Sequence, residues 1–367
     1  MGDIYPRFNV AAVQAAPVMF DRDKTIDKAV RLIEEAADKG SIIIGFPELF
    51  IPGHPGVWYY SKKSNPLSTM GELFKELVKN GVRVPSPEVD RLCMAARKAH
   101  AYVVVGISEV DTLFPGTLYI SQLLISDTGE IMGVHRKMVP TIDEKLIYSS
   151  GDGSYLNVYD TPYGKLSSMN CGEHTHDLYK YALLAMGTQI HVASWPSMPA
   201  HIYAQSWRDP VEFRARQFAY EGNIFIINSC AITDRQNIAA CCDTQEEREN
   251  ILENSGGASS IIGPNGEYLA GPVNEGEVVL TAEISLEDAL PGKQHHNVLG
   301  SYTRWDVLSL NFNRKRLSPF NESTSSAMNN SIDFPYELQE IKGKIVEVTE
   351  KLDKLAERLN DQITRKT

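Results

Sequence analysis

Cysteine is scarce in this chain, and the few cysteines present do not form a disulfide framework. The five cysteines are Cys93, Cys171, Cys230, Cys241 and Cys242 among 367 residues. An odd count without regular spacing is typical of a reducing compartment, and the adjacent pair at 241–242 is neither a CxxC motif nor a zinc knuckle. The pattern therefore predicts a cytoplasmic protein, and it indicates no metal and no other cofactor.

Long apolar runs and clustered basic residues are also missing. No uninterrupted apolar stretch approaches the roughly 18–20 residues that span a bilayer, and the N-terminus lacks the pattern of a signal peptide. The net charge is −11 and no basic stripe interrupts it, which argues against nucleic acid as a partner. With 43% hydrophobic and 23% charged residues, the composition is that of a globular enzyme acting on a small molecule.

The chain alternates between strand-like and helix-like segments. Apolar residues alternate over 8–14 and recur every three or four positions over 21–39, so a strand, a helix and a second strand at 42–46 open the fold. Further strands are predicted at 101–107, 118–126, 189–193 and 224–229, and helices at 70–80, 87–100, 177–186 and 207–220. Because no Pro/Gly/Ser-rich linker separates two halves, we predict one α/β domain over residues 1–316.

The C-terminal segment has a different pattern. Residues 317–332 are rich in Ser and Asn and are predicted to be a flexible connection. Across 333–367, apolar residues alternate spacings of three and four at Leu338, Ile341, Ile345, Val348, Leu352, Leu355 and Leu359. This seam of about three heptads is compatible with a contact between subunits and equally with an amphipathic helix on its own domain.

Three ionisable residues follow apolar, strand-like runs. Glu48 comes after the run at 42–46, Lys137 ends the run that starts at 133, and Cys171 follows the run at 163–170. Active sites of α/β folds lie just beyond strand ends. There a carboxylate can take a proton from a thiol, and a lysine can neutralise charge that develops on a substrate. Singly, each residue is also compatible with an inert role, as a buried thiol or a solvated strand end.

Cys171 lies at a predicted junction between a strand and a helix. The local sequence is Asn170-Cys171-Gly172, and a helix is predicted to follow over 177–186. The first free N–H groups of a helix favour a thiolate. The position therefore predicts a thiol that is aimed into a cleft with its ionised form stabilised.

Taken in this order, the three runs resemble the nitrilase superfamily of carbon–nitrogen hydrolases, over about residues 8–311. The runs similar to its nitrilase branch are Pro47–Pro55, Tyr119–Gln122, His135–Lys137 with Pro140–Thr141, Gly151–Gly153 and Gly300–Leu308. The resemblance implies an αββα sandwich and a Glu–Lys–Cys triad. Glu48 would be the general base, Lys137 the stabiliser of the tetrahedral intermediate and Cys171 the nucleophile. Glu144 matches a second family glutamate that positions substrate or water, although a surface ion pair with Lys145 is the alternative.

The residues around the thiol suggest where substrate binds. Many nitrilases have tryptophan directly after the nucleophile, whereas this chain has Gly172, which leaves more space beside the thiol. By the same resemblance, Trp195 lines the pocket. Trp58 could form the opposite wall or simply pack its loop. We assign His174 to this pocket, because its neighbours lack the third ligand that a metal site needs.

The resemblance implies hydrolysis of a nitrile to a carboxylic acid and ammonia through a thioimidate and an acyl-thioester on Cys171. Hydrolysis of an amide or carbamoyl group, or arrest at the amide, would use the same triad. An inactive homologue that acts only through its heptad segment is the third alternative. The superfamily also forms dimers and larger assemblies, so we expect a homodimer or larger homo-oligomer, with 333–367 as the candidate contact.

Overall fold

The computed structural model describes residues 2–56, 66–197, 207–250 and 256–319. The chain divides into two units, Met1–Leu317 and Ser318–Thr367. The first unit contains the elements given below. The predicted heptad segment at 333–367 lies outside the described residues, as does most of the predicted connection at 317–332.

One sheet has seven strands, and three adjacent strands at its centre pair in parallel. Its strands are β1 (Arg7–Gln14), β2 (Ser41–Gly45), β3 (Tyr102–Val110), β4 (Leu118–Ile125), β5 (Ile131–Arg136), β6 (Tyr148–Ser149) and β13 (Val278–Ser285). Their order is β13-β1-β2-β3-β4-β5, and β6 pairs with β4. Strands β1, β2 and β3 are parallel, whereas β4 is antiparallel to both β3 and β5. Consequently β2 and β5 run in the same direction and end at the same edge of the sheet.

The second sheet repeats this arrangement with six strands. They are β7 (Val158–Thr161), β8 (Gly164–Asn170), β9 (Ile190–Trp195), β10 (Phe225–Cys230), β11 (Ser259–Ile262) and β12 (Tyr268–Val273), in the order β12-β11-β10-β9-β8-β7. Strands β8, β9 and β10 are parallel. Ala15 and Ala231, just beyond β1 and β10, form a parallel bridge between the sheets. The carboxyl ends of both sets of parallel strands therefore lie at the same end of the fold.

The two sheets pack face to face on a shared apolar core. Val10 and Val104 of the first sheet lie in one buried cluster with Val192 and Ile227 of the second. Gly45 allows the close approach, because a Cβ at this position would lie 2.8 Å from a methyl group of Val192. Alternation along each strand sends every second side chain into this core and the others toward the helices.

Helices cover the outer faces of both sheets. They are α1 (Arg22–Asp38), α2 (Pro66–Asn80), α3 (Pro87–Ala99), α4 (Asp177–Ala185), α5 (Arg208–Gly222), α6 (Arg235–Cys241), α7 (Gln245–Asn250) and α8 (Leu290–His295). Helices α1 and α3 share a buried cluster with the first sheet, and α4 and α5 share one with the second. The result is the predicted order of layers, helix, sheet, sheet, helix.

The predicted elements agree with the structure except at some ends. Helix α2 begins at Pro66 rather than at Met70, and β9 extends to Trp195, which we expected to follow the strand. Helix α1 begins after Asp21, whose side chain accepts the Lys24 N–H at 3.0 Å and caps the first turn. In the part of the chain that the structure describes, no helix has the length and apolar character to cross a membrane.

Candidate active site

Three strand ends bring the predicted catalytic residues to one end of the sandwich. Glu48 follows β2 by three residues, whereas Lys137 and Cys171 directly follow β5 and β8. The exposed fractions of these residues are 1%, 1% and 5%. Burial of this kind is unusual for Glu and Lys unless they are paired, so their partners define the site.

Lys137 connects two buried carboxylates. Its Nζ donates to Oε1 of Glu48 at 2.7 Å and to Oε2 of Glu144 at 2.7 Å. Burial alone would lower the pKa of Lys137, but the charges of Glu144 and Glu48 outweigh it and hold that pKa well above its usual value. The side chain is therefore a fixed cation, and its ammonium group has a third N–H beyond the two used here.

Glu144 is held by hydrogen-bond donors on both of its oxygens. It lies in a 3₁₀ turn over Ile142–Leu146, and its Oε2 also accepts the Thr141 backbone N–H at 2.6 Å. Its Oε1 lies 3.2 Å from Nε2 of His54. Burial would raise the pKa of Glu144, but Lys137 and His54 together lower it to about 2. Glu144 thus stays ionised, and the alternative surface ion pair with Lys145 does not describe this buried carboxylate.

Glu48 is the carboxylate that can exchange a proton near neutral pH. Burial raises its pKa to about 8, with Lys137 opposing the shift and Glu144 adding to it. Its Oε1 is bonded to Lys137, whereas its buried Oε2 has no hydrogen-bond partner among the residues that the structure describes. A buried acceptor of this kind is suited to receive a proton from a reacting group.

Cys171 has a strained backbone and an un-ionised thiol. Its φ is +38°, a value that L-residues rarely adopt. Burial, followed by the charge of Glu48, raises the pKa of the thiol well above its ordinary value. The expected stabilisation of a thiolate by a helix is wrong, because a 3₁₀ turn over Cys171–Thr175 separates the thiol from α4, which starts only at Asp177. The resting thiol is therefore protonated, and any nucleophilic role for it needs a base to remove that proton.

Glu173 ties two of the strand ends together, a role that the sequence analysis missed. Its Oε1 accepts the Met138 N–H at 2.9 Å, just after Lys137, and its Oε2 accepts the Asn170 N–H at 2.8 Å, just before Cys171. His135 completes the link, with Nε2 at 2.8 Å from Oε2 and Nδ1 at 3.1 Å from the Tyr155 carbonyl. Both neighbours of the ring are acceptors, so we assign a doubly protonated imidazolium. Although burial opposes it, Glu173 raises the pKa of His135 accordingly.

Three of the residues predicted to bind substrate lie next to Cys171 or pack on a residue that contacts it. A Cβ added to Gly172 would lie 3.0 Å from Oγ1 of Thr141. His174 uses both ring nitrogens within the protein, at 2.9 Å from the Cys171 carbonyl and 3.0 Å from Nε2 of His191. Trp195 is fully buried, stacks on His174 and donates its indole N–H to Asn228 at 2.6 Å. Trp58 lies outside the described residues, and substrate contact by the other three remains a prediction.

Comparison with known proteins gives the family. Residues 9–294 match the family described as carbon-nitrogen hydrolase. An aliphatic nitrilase from Rhodococcus rhodochrous is 40% identical over 322 residues, which cover 87% of this chain and 86% of the relative. Nitrilase 1 from Arabidopsis thaliana is 36% identical over 310 residues, covering 83% of this chain and 86% of the relative. The chain therefore belongs to the carbon–nitrogen hydrolases of the nitrilase superfamily, as the three motifs predicted.

Solved structures confirm the predicted fold. A carbon–nitrogen hydrolase from Helicobacter pylori G27 superposes with a TM-score of 0.62 at 21% identity, covering 82% of this chain and 97% of the other. Nit3 from Saccharomyces cerevisiae also superposes with a TM-score of 0.62, at 20% identity, covering 80% and 96%. At these identities the likeness concerns the αββα sandwich alone.

Proposed function

We propose that this enzyme hydrolyses a nitrile to a carboxylic acid and ammonia, with Cys171 as its nucleophile. Relatives named nitrilase that align over more than four-fifths of the chain support the reaction. The mechanism rests on the different surroundings of the two Glu48 oxygens. Oε1 is bonded to Lys137, whereas Oε2 has no hydrogen-bond partner among the described residues. Glu48 provides a proton acceptor and an electrostatic anchor in one buried group.

In the first step the thiol adds to the nitrile. The S–C bond forms as Oε2 of Glu48, in its ionised form, takes the thiol proton. A pKa of about 8 leaves part of the Glu48 population ionised near neutral pH, and the raised pKa of Cys171 keeps the thiol protonated until attack. One π bond of the nitrile becomes a lone pair on nitrogen, and Lys137 stabilises the negative charge that develops there. Glu48 then returns the proton to nitrogen, which gives a neutral thioimidate.

In the second stage two water molecules complete the hydrolysis. Glu48 removes a proton from the first water as its oxygen adds to the thioimidate carbon, the C=N π pair becomes a lone pair on nitrogen, and Glu48 passes the proton to that nitrogen. The hydroxyl proton of the tetrahedral intermediate then moves through Glu48 to the amino group, the C–N bond breaks to release ammonia, and the C=O bond forms. This leaves an acyl-thioester on Cys171. The second water attacks the thioester, the C–S bond breaks, and the sulfur recovers its proton as the carboxylic acid leaves. The backbone N–H of Gly172 and the ammonium of Lys137 are the proposed donors to the tetrahedral intermediates.

Glu144 has a different proposed role from Glu48. Its pKa of about 2 keeps it ionised throughout the cycle, and its oxygens are occupied by Lys137, Thr141 and His54. We propose that it orients the Lys137 ammonium and does not itself transfer protons. Glu48 thus exchanges protons while Glu144 stays ionised, as is common where neighbouring groups have separated pKa values.

Product analysis on a panel of small nitriles and their matching amides tests the proposal. Acid and ammonia from nitriles, abolished in Cys171→Ala, is the expected result. An amide as the sole product would indicate that the first tetrahedral intermediate collapses by losing the thiol rather than ammonia. Turnover of amides without nitriles would replace the proposal with an amidase, and Gly172 would then be the first position to vary.

We further propose that the protein is a cytoplasmic homo-oligomer with the heptad segment as a subunit contact. The five cysteines, all within the described residues, form no disulfide, which supports a reducing location. Apolar residues at heptad spacing over 333–367 support the contact. Deleting residues from Ser331 onward should lower the mass of the assembly in light scattering, while residues 1–316 remain as the catalytic domain. An unchanged mass would remove the segment from the interface.

A further inference from the structure

His54 lies six residues beyond Glu48, on the loop that returns to the site. The loop is fixed to the first sheet, where the Ile51 N–H donates to the Gly106 carbonyl at 3.0 Å. Gly53 has a φ of +111°, and a Cβ there would lie 2.4 Å from the sulfur of Met19. The chain can therefore take this path only with glycine at 53, and it delivers the next side chain, His54, to a buried position.

The hydrogen bonds of His54 define which nitrogen has the proton. The backbone N–H of Gly56 donates to Nδ1 at 3.0 Å, so Nδ1 is an acceptor. In a neutral ring the proton is then on Nε2, which lies 3.2 Å from Oε1 of Glu144. We therefore assign the bond as Nε2–H of His54 donating to Glu144.

This bond completes the set of donors around Glu144. Its Oε2 already accepts from Lys137 and from the Thr141 backbone, and both carboxylate oxygens are nearly inaccessible. Without His54, Oε1 would be a buried charged oxygen lacking this donor, a costly arrangement. A carboxylate so placed either moves toward another donor or takes up a proton. Either change releases Lys137 from one of its two anchors.

We propose that His54 is a positioning residue that keeps Glu144 ionised and oriented, and through it fixes the Lys137 ammonium. The inference rests on the proposed function of the Glu48, Lys137 and Cys171 site. It assigns a task to a buried histidine outside the Glu48, Lys137 and Cys171 set.

The expected pH effect follows from the groups that face Glu144. These groups are His54, Lys137, Glu48, Cys171 and Tyr148. Lys137 and His54 lower the pKa of Glu144, so removing His54 raises that pKa while Lys137 still opposes protonation. Glu144 would then take up a proton at a higher pH than in the wild type, whereas the acid limb of kcat stays with Glu48, whose pKa is about 8.

Two substitutions and a packing control test the proposal. His54→Leu removes the donor, His54→Gln keeps an N–H near the position of Nε2, and Ile51→Val loosens the same loop without touching the bond. We expect His54→Leu to lower kcat for a nitrile about 10- to 100-fold with KM changed less than about threefold. His54→Gln, which restores an N–H donor to Glu144, and Ile51→Val should keep kcat within about threefold of the wild type.

Alkylation of Cys171 by iodoacetamide, followed by mass spectrometry across pH, gives a reading that needs no substrate. Glu144 raises the pKa of the thiol, so protonating Glu144 in His54→Leu should increase the relative alkylation rate at acid pH. Equal loss of kcat in both His54 variants would overturn the proposal, as would wild-type kcat in His54→Leu. If the wild type hydrolyses no nitrile, the proposed function fails, and the alkylation profiles alone decide the role of His54.

Discussion

Glu48 uses only one of its two carboxylate oxygens to bind Lys137. Oε1 accepts the ammonium N–H at 2.7 Å, whereas Oε2 is buried without a hydrogen-bond partner among the residues that the structure describes. The ion pair therefore fixes the carboxylate while leaving one acceptor for chemistry. An unsatisfied buried oxygen costs free energy in the resting protein, and a substrate or thiol proton that reaches it recovers that cost.

Replacing Glu48 with glutamine should separate shape from proton transfer. Glu48→Gln keeps the size of the side chain and an oxygen that can accept from Lys137, but its amide cannot take a proton from the thiol. We expect kcat for a nitrile to fall by about 10²- to 10⁴-fold, with a retained fold by circular dichroism. Glu130→Gln, at an exposed turn position, is the matched control. More than a tenth of wild-type turnover in Glu48→Gln would show that another group is the base.

Removing Lys137 should destabilise the fold as well as the reaction. Lys137→Met leaves two buried carboxylates without their shared cation, and breaking such a pair costs about 3–5 kcal/mol of unfolding free energy. Combined with Glu48→Gln, the loss should be smaller than the sum of the single losses, because both changes act on the same Lys137–Glu48 interaction. Urea unfolding of the four proteins measures this difference. Strict additivity would mean that the two side chains do not share their stabilisation.

The pKa of Glu48 predicts a decline in stability toward alkaline pH. Its ordinary value of 4.5 is raised to about 8 in the folded protein. Between these values the folded state binds more protons than the unfolded state, so this contribution is complete below 4.5 and is lost as pH rises through 8. As pH rises through this range, the melting temperature of the wild type should fall relative to that of Glu48→Gln, which cannot titrate at this position. A constant difference between the two proteins at all pH values would contradict the assigned shift.

A methyl group at position 172 should disturb the site through Thr141. The Cβ of Gly172→Ala would lie 3.0 Å from Oγ1 of Thr141, a distance that forces the threonine to move. Because the Thr141 backbone N–H holds Glu144 at 2.6 Å, we expect kcat to fall about 3- to 10-fold. Thr141→Ala removes the clash, so the double variant should recover activity relative to Gly172→Ala. A double variant no better than Gly172→Ala would place the effect of residue 172 elsewhere.

Local pattern was sufficient to predict the elements that deliver the proposed catalytic groups. The strands end three residues before Glu48 and directly before Lys137 and Cys171, and a carboxyl-end location is a general property of α/β sites. The family resemblance added the layer order and the significance of Glu144. These inferences use residues that are close in sequence or that occur in a fixed motif order.

Pairing across long separations was beyond the reach of the pattern. Strand β13 pairs with β1 although Ser285 and Arg7 are far apart in the chain, and nothing local specifies that edge. Likewise, Glu173 and His135 are 38 residues apart, and they meet only because the fold brings together the ends of β5 and β8, which belong to different sheets. The raised pKa of Cys171 was also missed, because burial depends on the whole fold and outweighed the expected effect of a helix.

The bridge made by Glu173 has a consequence for how this site can change. One carboxylate binds the backbone on either side of the gap, beside Lys137 at Met138 and beside Cys171 at Asn170. The proposed nucleophile and the Lys137 cation are thus held at a fixed separation by a single carboxylate. A segment containing Cys171 that is transplanted into a related protein would bring Glu173 with it. It would keep this geometry only where the recipient has a histidine equivalent to His135.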